Sequence, residues 1–405
     1  LEKTGVSPTV ATLVGHNTVR EKAMGGVFDR KPTAAELAEM KRLVDRAMQD
    51  GALGLSTGLI YLPGRFSETG EIVELAKVIA PYDGIYASHM RNEGSKILSS
   101  IEELLRIARE ARVRAQVSHL KLSGENAWGR TKEVLALLDR ARAEGIDVAH
   151  DQYAYTASST RLRQLIPGEA FAGGRKNFLA VLADPKRKAD LVAKMKRNIL
   201  GRGRMDYAYA VVASFRGDAT LNGLNIVEAA RKWRGSDALE DQIEVILEIE
   251  RRGGGAGVFH GMDEADLQAF MQHPKTMIAS DSGVREFGQD VPHPRGYGNN
   301  ARVLGRYVRE LEVLTLEEAV RKMTSLPARH FQFAGRGELK AGAWADVTIF
   351  DAAEVTDPSV YKDPHHYAVG FRHVLVNGVP VIRLHGDPAL QFRQRKSAAL
   401  VVPRW

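Results

Sequence analysis

Short apolar runs alternate with amphipathic helical stretches over residues 10–155, and this alternation limits the fold more than any other feature of the chain. VATLVG at 10–15 reads as a buried strand. Thr33 followed by Glu36 forms a capping box, after which Leu37, Met40, Leu43, Val44 and Ala47 recur at helical spacing as far as Gly51. A strand over 53–57, a helix over 68–80 and a strand over 85–90 follow. Ile97, Leu98, Ile101, Leu104, Leu105 and Ala108 then line one helix face, and 115–120, 131–143 and 146–153 read as strand, helix and strand. Strand and helix returning about every 30 residues is the β/α unit of a parallel sheet. The units do not resemble one another in sequence, so the pattern predicts a closed barrel rather than a solenoid of repeats.

Beyond residue 160 the signal weakens. The Lys- and Arg-rich stretch 175–204 is helical by pattern and reads as a solvated face rather than an anion-binding one. MIAS at 277–280 is a strand ending at Asp281, and Thr315 with Glu318 caps another helix. Past Gly342 short strands replace the alternation, at 345–350 and 374–382, the latter broken by Asn377-Gly378, a strong hairpin signal. The expected organisation is a β/α barrel over 1–335 and a small β-rich subdomain over 336–405. Cysteine is absent, which removes disulfides, zinc–thiolate sites and a thiol nucleophile. No apolar run approaches the roughly 18 residues of a membrane-spanning helix. The net charge of +7 on 405 residues is weak support for nucleic-acid binding. Neither a membrane nor a nucleic-acid partner is expected, and the expected location is cytoplasmic.

In a parallel β/α barrel the reactive groups lie just past the C-terminal ends of the strands. His16, His89, His119, Asp151 with Tyr153, and Asp281 all fall at such positions. Two imidazoles one β/α unit apart, with a carboxylate after a later strand, suit a divalent metal and a base for its water. Lys121 lies two residues after His119 and so projects to the same side, while Arg295 follows Asp281 in a loop; together they offer a clamp for a substrate carboxylate. His150 points away from the mouth by alternation, and His365 and His366 read as surface loop residues; His16 stays open between structural and functional roles. Gly54-Leu55-Ser56-Thr57-Gly58 matches the nucleophile elbow of serine hydrolases, but that elbow needs a helix directly after the serine, and here Pro63 and Gly64 signal a loop.

The strings GLSTGLIYLPG, YASHMRNEG, QVSHLK, DQYAYTASST, MIASDSG, PHPRGYG and RVLGRYVRE, in this order, resemble the D-aminoacylase family of the amidohydrolase superfamily, as does the tail ADVTIFD with HVLVNGVPV. The resemblance spans nearly the whole chain. It implies a TIM-like (β/α)8 metal-dependent hydrolase barrel with a small β subdomain, and zinc-dependent hydrolysis of N-acyl-D-amino acids. By the same resemblance His89 and His119 are zinc ligands, and Asp281 is the general acid/base and a ligand where a second metal binds. Lys121, Tyr153, Ser159 and Arg295 would hold the α-carboxylate, and Tyr61 would line the side-chain pocket. The family's first strand carries His-x-His and its next strand a cysteine ligand. Neither is present here, so the chain is expected to be N-terminally incomplete, with unpaired sheet edges, too few ligands for tight zinc binding and weak or absent activity by itself. Arg161 and Arg163, shortly after Ser159, raise the expectation of acidic D-side chains. Alternatives are cyclic-amide opening or deamination by the same groups, and a barrel that binds without turnover.

Overall fold

The computed structural model describes residues 5–26 and 29–383. Within them lie β1 (Val14–Gly15), β2 (Gly54–Gly58), β3 (Ile85–His89), β4 (Arg114–Val117), β5 (Val148–Gln152) and β6 (Ala157–Arg161). There follow β7 (Ala210–Ser214), β8 (Ala256–His260), β9 (Thr276–Ile278), β10 (Val347–Phe350), β11 (Phe371–Val376) and β12 (Val379–Arg383). Six of these form one parallel sheet in the order β1-β2-β3-β4-β5-β9. Its register pairs Gly58 with His89, Ser88 with Val117 and Gln152 with Ile278, so the C-terminal strand ends share one rim.

Helices Ala34–Gln49, Thr69–Ile79, Ile97–Ala111 and Thr131–Ala143 connect the first five strands. The Thr33–Glu36 capping box is formed in both directions and fixes the start of the first of these. The buried helix side chains Met40, Val44, Ile72, Leu75, Ile101, Leu105, Val134 and Leu138 join Leu55, Tyr86, Ala115 and Val148 of the sheet in one core. Each such side chain contributes about 1.5–3 kcal/mol by leaving water. The strand expected over 10–15 is shorter than that. Only Val14–Gly15 pairs as a ladder, although the Leu53 N–H still donates to Thr12 O at 2.9 Å.

Between β5 and β9 the chain leaves the parallel sheet and builds an antiparallel one, β6-β8-β7. Helices Gly174–Ala183, Pro185–Leu200, Ile226–Arg234 and Leu239–Arg251 accompany it. Its core runs from Leu162 through Phe178, Met195, Val212 and Ile226 to Ile249 and is separate from that under the parallel sheet. The basic stretch is helical as expected, and most of its Lys and Arg side chains lie outside this core. The third sheet, β10-β11-β12, contains the hairpin predicted at Asn377-Gly378. Both turn residues have positive φ, 51° and 78°, as a type I′ turn demands. Among the described residues no helix is long and apolar enough to cross a membrane.

Candidate metal and carboxylate site

His89 ends β3, and His119 stands two residues past the end of β4. The parallel register sets these ends side by side, and His89 Nδ1 lies 2.8 Å from His119 Nε2. His119 adopts φ of 41°, uncommon for a side chain with a Cβ. Asp151 of β5 holds it there: one carboxylate oxygen accepts from the His119 N–H at 2.8 Å, the other from Gln116 Nε2 at 2.5 Å. Burial raises the Asp151 carboxyl above its usual range, opposed by the His119 imidazole and these hydrogen bonds. Asp151, a metal-capable candidate by sequence, thus serves to position His119.

Glu93 completes the cluster, although the sequence reading did not single it out. Its Oε1 accepts from Lys121 Nζ at 2.5 Å and lies 3.0 Å from His119 Nδ1. A ligand atom from each of His89, Glu93 and His119 falls within 4.8 Å of the others. Burial alone would raise the Glu93 carboxyl, but the Lys121 ammonium and the two imidazoles outweigh it and hold the group well below the carboxylate range. The available signal was an acid four residues after a strand-end histidine, in SHMRNEG, facing the lysine of SHLK.

Burial moves the His89 pKa down to about 3, with the His119 and Lys121 charges adding to the effect and Glu93 opposing it. The imidazole is therefore neutral near pH 7. Its Nε2 is buried without a hydrogen-bond partner among the described residues, as befits a lone pair kept for a metal. Orphaned nitrogen, second imidazole and adjacent carboxylate together fit a divalent transition metal.

Asp281 stands apart from this three-residue cluster. It follows β9 in a left-handed conformation (φ 48°) and is exposed, and its Oδ2 pairs with Arg295 Nη2 at 2.8 Å. Arg295 opens the helix Arg295–Arg302 and is 4% exposed. Its guanidinium lies 4.4 Å from the centre of the Tyr153 ring, and Nη2 also reaches Ser159 O at 3.4 Å. Nε and Nη1 are buried with no acceptor among the described residues. A buried arginine with unused donors on both edges calls for an anion, and a carboxylate suits such a donor.

Lys121 is itself committed to Glu93 and to His119 O (2.7 Å), with the Tyr153 ring 5.8 Å away. Tyr61 sets its ring 4.8 Å from that of His89, and its hydroxyl accepts from Thr160 Oγ1 at 3.1 Å. The eight predicted residues therefore gather as His89, His119 and Lys121 around Glu93, and Asp281, Tyr153 and Ser159 around Arg295, with Tyr61 against His89.

His16, His150, His365 and His366 have structural partners. His16 is fully buried and shares Glu71 with Arg20. His150 points away from the rim, as alternation predicts, and bonds Thr276 Oγ1 at 2.7 Å. His365 meets Tyr297 and Gly288, and His366 meets Asp363. Ser56 lies inside β2 with its hydroxyl toward Val14 O, and the helical turn Gly64–Phe66 starts eight residues later, so no nucleophile elbow is present.

The amidohydrolase family model matches residues 5–382, and the chain belongs to that family. The parallel sheet is accordingly a wall of the family's β/α barrel. Over 372 residues the chain is 37% identical to N-acyl-D-glutamate deacylase of Alcaligenes xylosoxydans xylosoxydans, an alignment covering 92% of this chain and 66% of that relative. It thus spans about two thirds of that protein's length. The crystal structure of N-acyl-D-glutamate deacylase from Bordetella bronchiseptica, complexed with zinc and a phosphonate mimic of the tetrahedral intermediate, superposes with a TM-score of 0.77 at 35% identity, covering 94% of this chain and 70% of that one. A D-aminoacylase crystal structure gives 0.80 at 33% identity, covering 99% and 73%.

Proposed function

We propose that the protein hydrolyses the amide bond of N-acyl-D-amino acids, releasing a carboxylate and the free D-amino acid. The observation that carries this reading is the pairing, on one rim, of two adjoining imidazoles, one with a buried Nε2 that has no partner among the described residues, with a buried arginine holding two unused donors. One half suits a metal and the other a carboxylate, the two handles an N-acyl amino acid requires. Relatives named as deacylases of this substrate class support the same reading.

His89 and His119, with Glu93 alongside, would hold zinc; a second ion would draw on Asp281. Bound there, zinc supplies Lewis acidity for the amide carbonyl and acidifies a water molecule. Arg295 binds the substrate α-carboxylate through one of its free donors, while Tyr153 and Ser159 back the guanidinium and Lys121, paired with Glu93, stays with the imidazoles. Asp281, beside Arg295, takes a proton from the attacking water and delivers it to the leaving nitrogen, acting first as base and then as acid. With the carboxylate and the amide both fixed, exchange of the remaining α-substituents would swing the side chain away from Tyr61, so the D-enantiomer is preferred.

The test is a panel assayed on the zinc-supplemented full chain: N-acetyl-D- and N-acetyl-L-amino acids, hydantoins and dihydropyrimidines. Amine release confined to the D-series is expected. Ring opening of the cyclic amides without deacylation would overturn the proposal.

A further inference from the structure

Beside Tyr61 lies a cavity of about 220 Å³ whose lining includes Arg65, Arg161, Arg163, Thr160 and Gln164, and no acidic residue. We infer that this cavity selects substrates whose D-side chain ends in a carboxylate, and that Arg161 is the residue that binds it; the inference rests on the deacylase reading above.

The three arginines are not equivalent. Arg163 is already neutralised, with its Nη2 3.0 Å from the buried carboxylate of Glu250 and its guanidinium 5.3 Å from the centre of the Phe171 ring. It forms a wall. The Arg161 and Arg65 guanidinium groups have no hydrogen-bond or ion-pair partner among the described residues. Arg65 packs over Gly168, where a Cβ would sit 2.8 Å from its Nη1, so the glycine makes room for that guanidinium at the cavity wall. Both groups are exposed at the mouth of the recess, and the Glu169 carboxylate offsets the charge of Arg65 through space, so Arg161 is the one left without an opposing charge; at a lining without an acid it favours an anion over a neutral group of the same shape.

The position follows from β6. Ser159, whose carbonyl accepts from Arg295, and Arg161 are two residues apart on this strand, about 7 Å along it. Tyr61 joins the two regions: its ring lies against His89 and its hydroxyl meets Thr160, between Ser159 and Arg161. A substrate clamped at Arg295 with its amide toward His89 thus directs its third arm past Tyr61 into the arginine-lined recess. That length suits one acidic side chain with an arginine at each carboxylate.

Two readouts test this. On the zinc-loaded full chain, kcat/KM for N-acetyl-D-glutamate should exceed that for the isosteric, neutral N-acetyl-D-glutamine by about 10- to 100-fold, the range of one charge-assisted hydrogen bond. The ratio should fall at least tenfold in Arg161→Met. Because any loss of folded enzyme cancels in a ratio, that result does not depend on the variant's stability; Arg65→Gln, at the same cavity, should lower the ratio to a smaller extent. Calorimetric binding of the two compounds should show the same preference independently of turnover. Equal constants for the two compounds, or a ratio untouched by Arg161→Met, would overturn the inference while leaving deacylation standing. Preferential binding of the acidic compound without cleavage of any N-acyl-D-amino acid would instead sink the deacylase reading and keep the acidic ligand. A gain seen only with N-succinyl-D-methionine over N-acetyl-D-methionine, and lost in Arg161→Met, would assign the recess to the acyl arm and refute its assignment to the side chain.

Discussion

Replacing Glu93 by Gln removes one negative charge from a nearly isosteric side chain, and the structure gives the size of the effect. Lys121 is 3% exposed and its ammonium has two oxygen acceptors, Glu93 Oε1 and His119 O. Breaking a buried ion pair by removing one partner costs about 3–5 kcal/mol. The glutamine oxygen can still accept one hydrogen bond, worth about 1 kcal/mol, which leaves a loss of about 2–4 kcal/mol. Zinc affinity should fall as well, because His119 Nδ1 loses the carboxylate that orients it, a change worth about 10- to 100-fold. Urea denaturation of the metal-free protein reads the first effect, and competition with a fluorescent chelator reads the second. The double replacement Glu93→Leu with Lys121→Met removes both charges and should recover most of the stability but none of the zinc affinity. A Glu93→Gln protein with unaltered urea midpoint and unaltered zinc affinity would refute the role given to this carboxylate.

Asp281→Asn should lower kcat by about 10²- to 10⁴-fold and leave zinc content nearly intact, since asparagine tolerates the left-handed backbone at this position; retained turnover removes Asp281 from the chemistry. Burial lowers His330 from 6.5 to about 4, and burial also holds His150 and His293 well below their ordinary value. The unfolded chain takes up these protons first, so stability is full above pH 6.5 and falls as pH drops toward 4, by about 1.4 kcal/mol per unit for each histidine. A flat dependence of the urea midpoint between pH 6.5 and 5 would contradict this. Gly54 has φ of 154° and its α-carbon faces the Ile85 backbone across the β2–β3 pair, so Gly54→Ala should destabilise by about 2–3 kcal/mol; an unchanged melting temperature would show that the two strands can part without penalty.

Those parts of the fold governed by neighbours in sequence were legible in the chain. Thr33 and Glu36 cap their helix three residues apart, Asn377-Gly378 turns its hairpin within two residues, and the buried strands announce themselves as apolar runs ending at His89 or Asp281. The sheet β6-β8-β7 was not, because its first strand, ASSTR, is too polar to show a buried face; antiparallel pairing across 157–260 makes it a strand. Glu93 escaped for a related reason. It sits in a loop, and only the register of β3 against β4 brings it to Lys121, 28 residues away. Asp151 was metal-capable by position only, because a strand-end carboxylate and a strand-end backbone anchor read alike in sequence. Lys121 looked like a free clamp because its acidic partner had not been found.

The stretch between β5 and β9 keeps its own apolar interior, running from Leu162 to Ile249, while the imidazoles stand on a sheet with a different interior. Arg161, Arg163, Gln164 and Phe171 come from the former, Tyr61 and Arg65 from a loop of the latter, and the recess opens where the two meet. Drift in one interior can therefore reshape the recess without disturbing His89, Glu93 and His119. Grafting this stretch between homologues is the corresponding route for engineering selectivity.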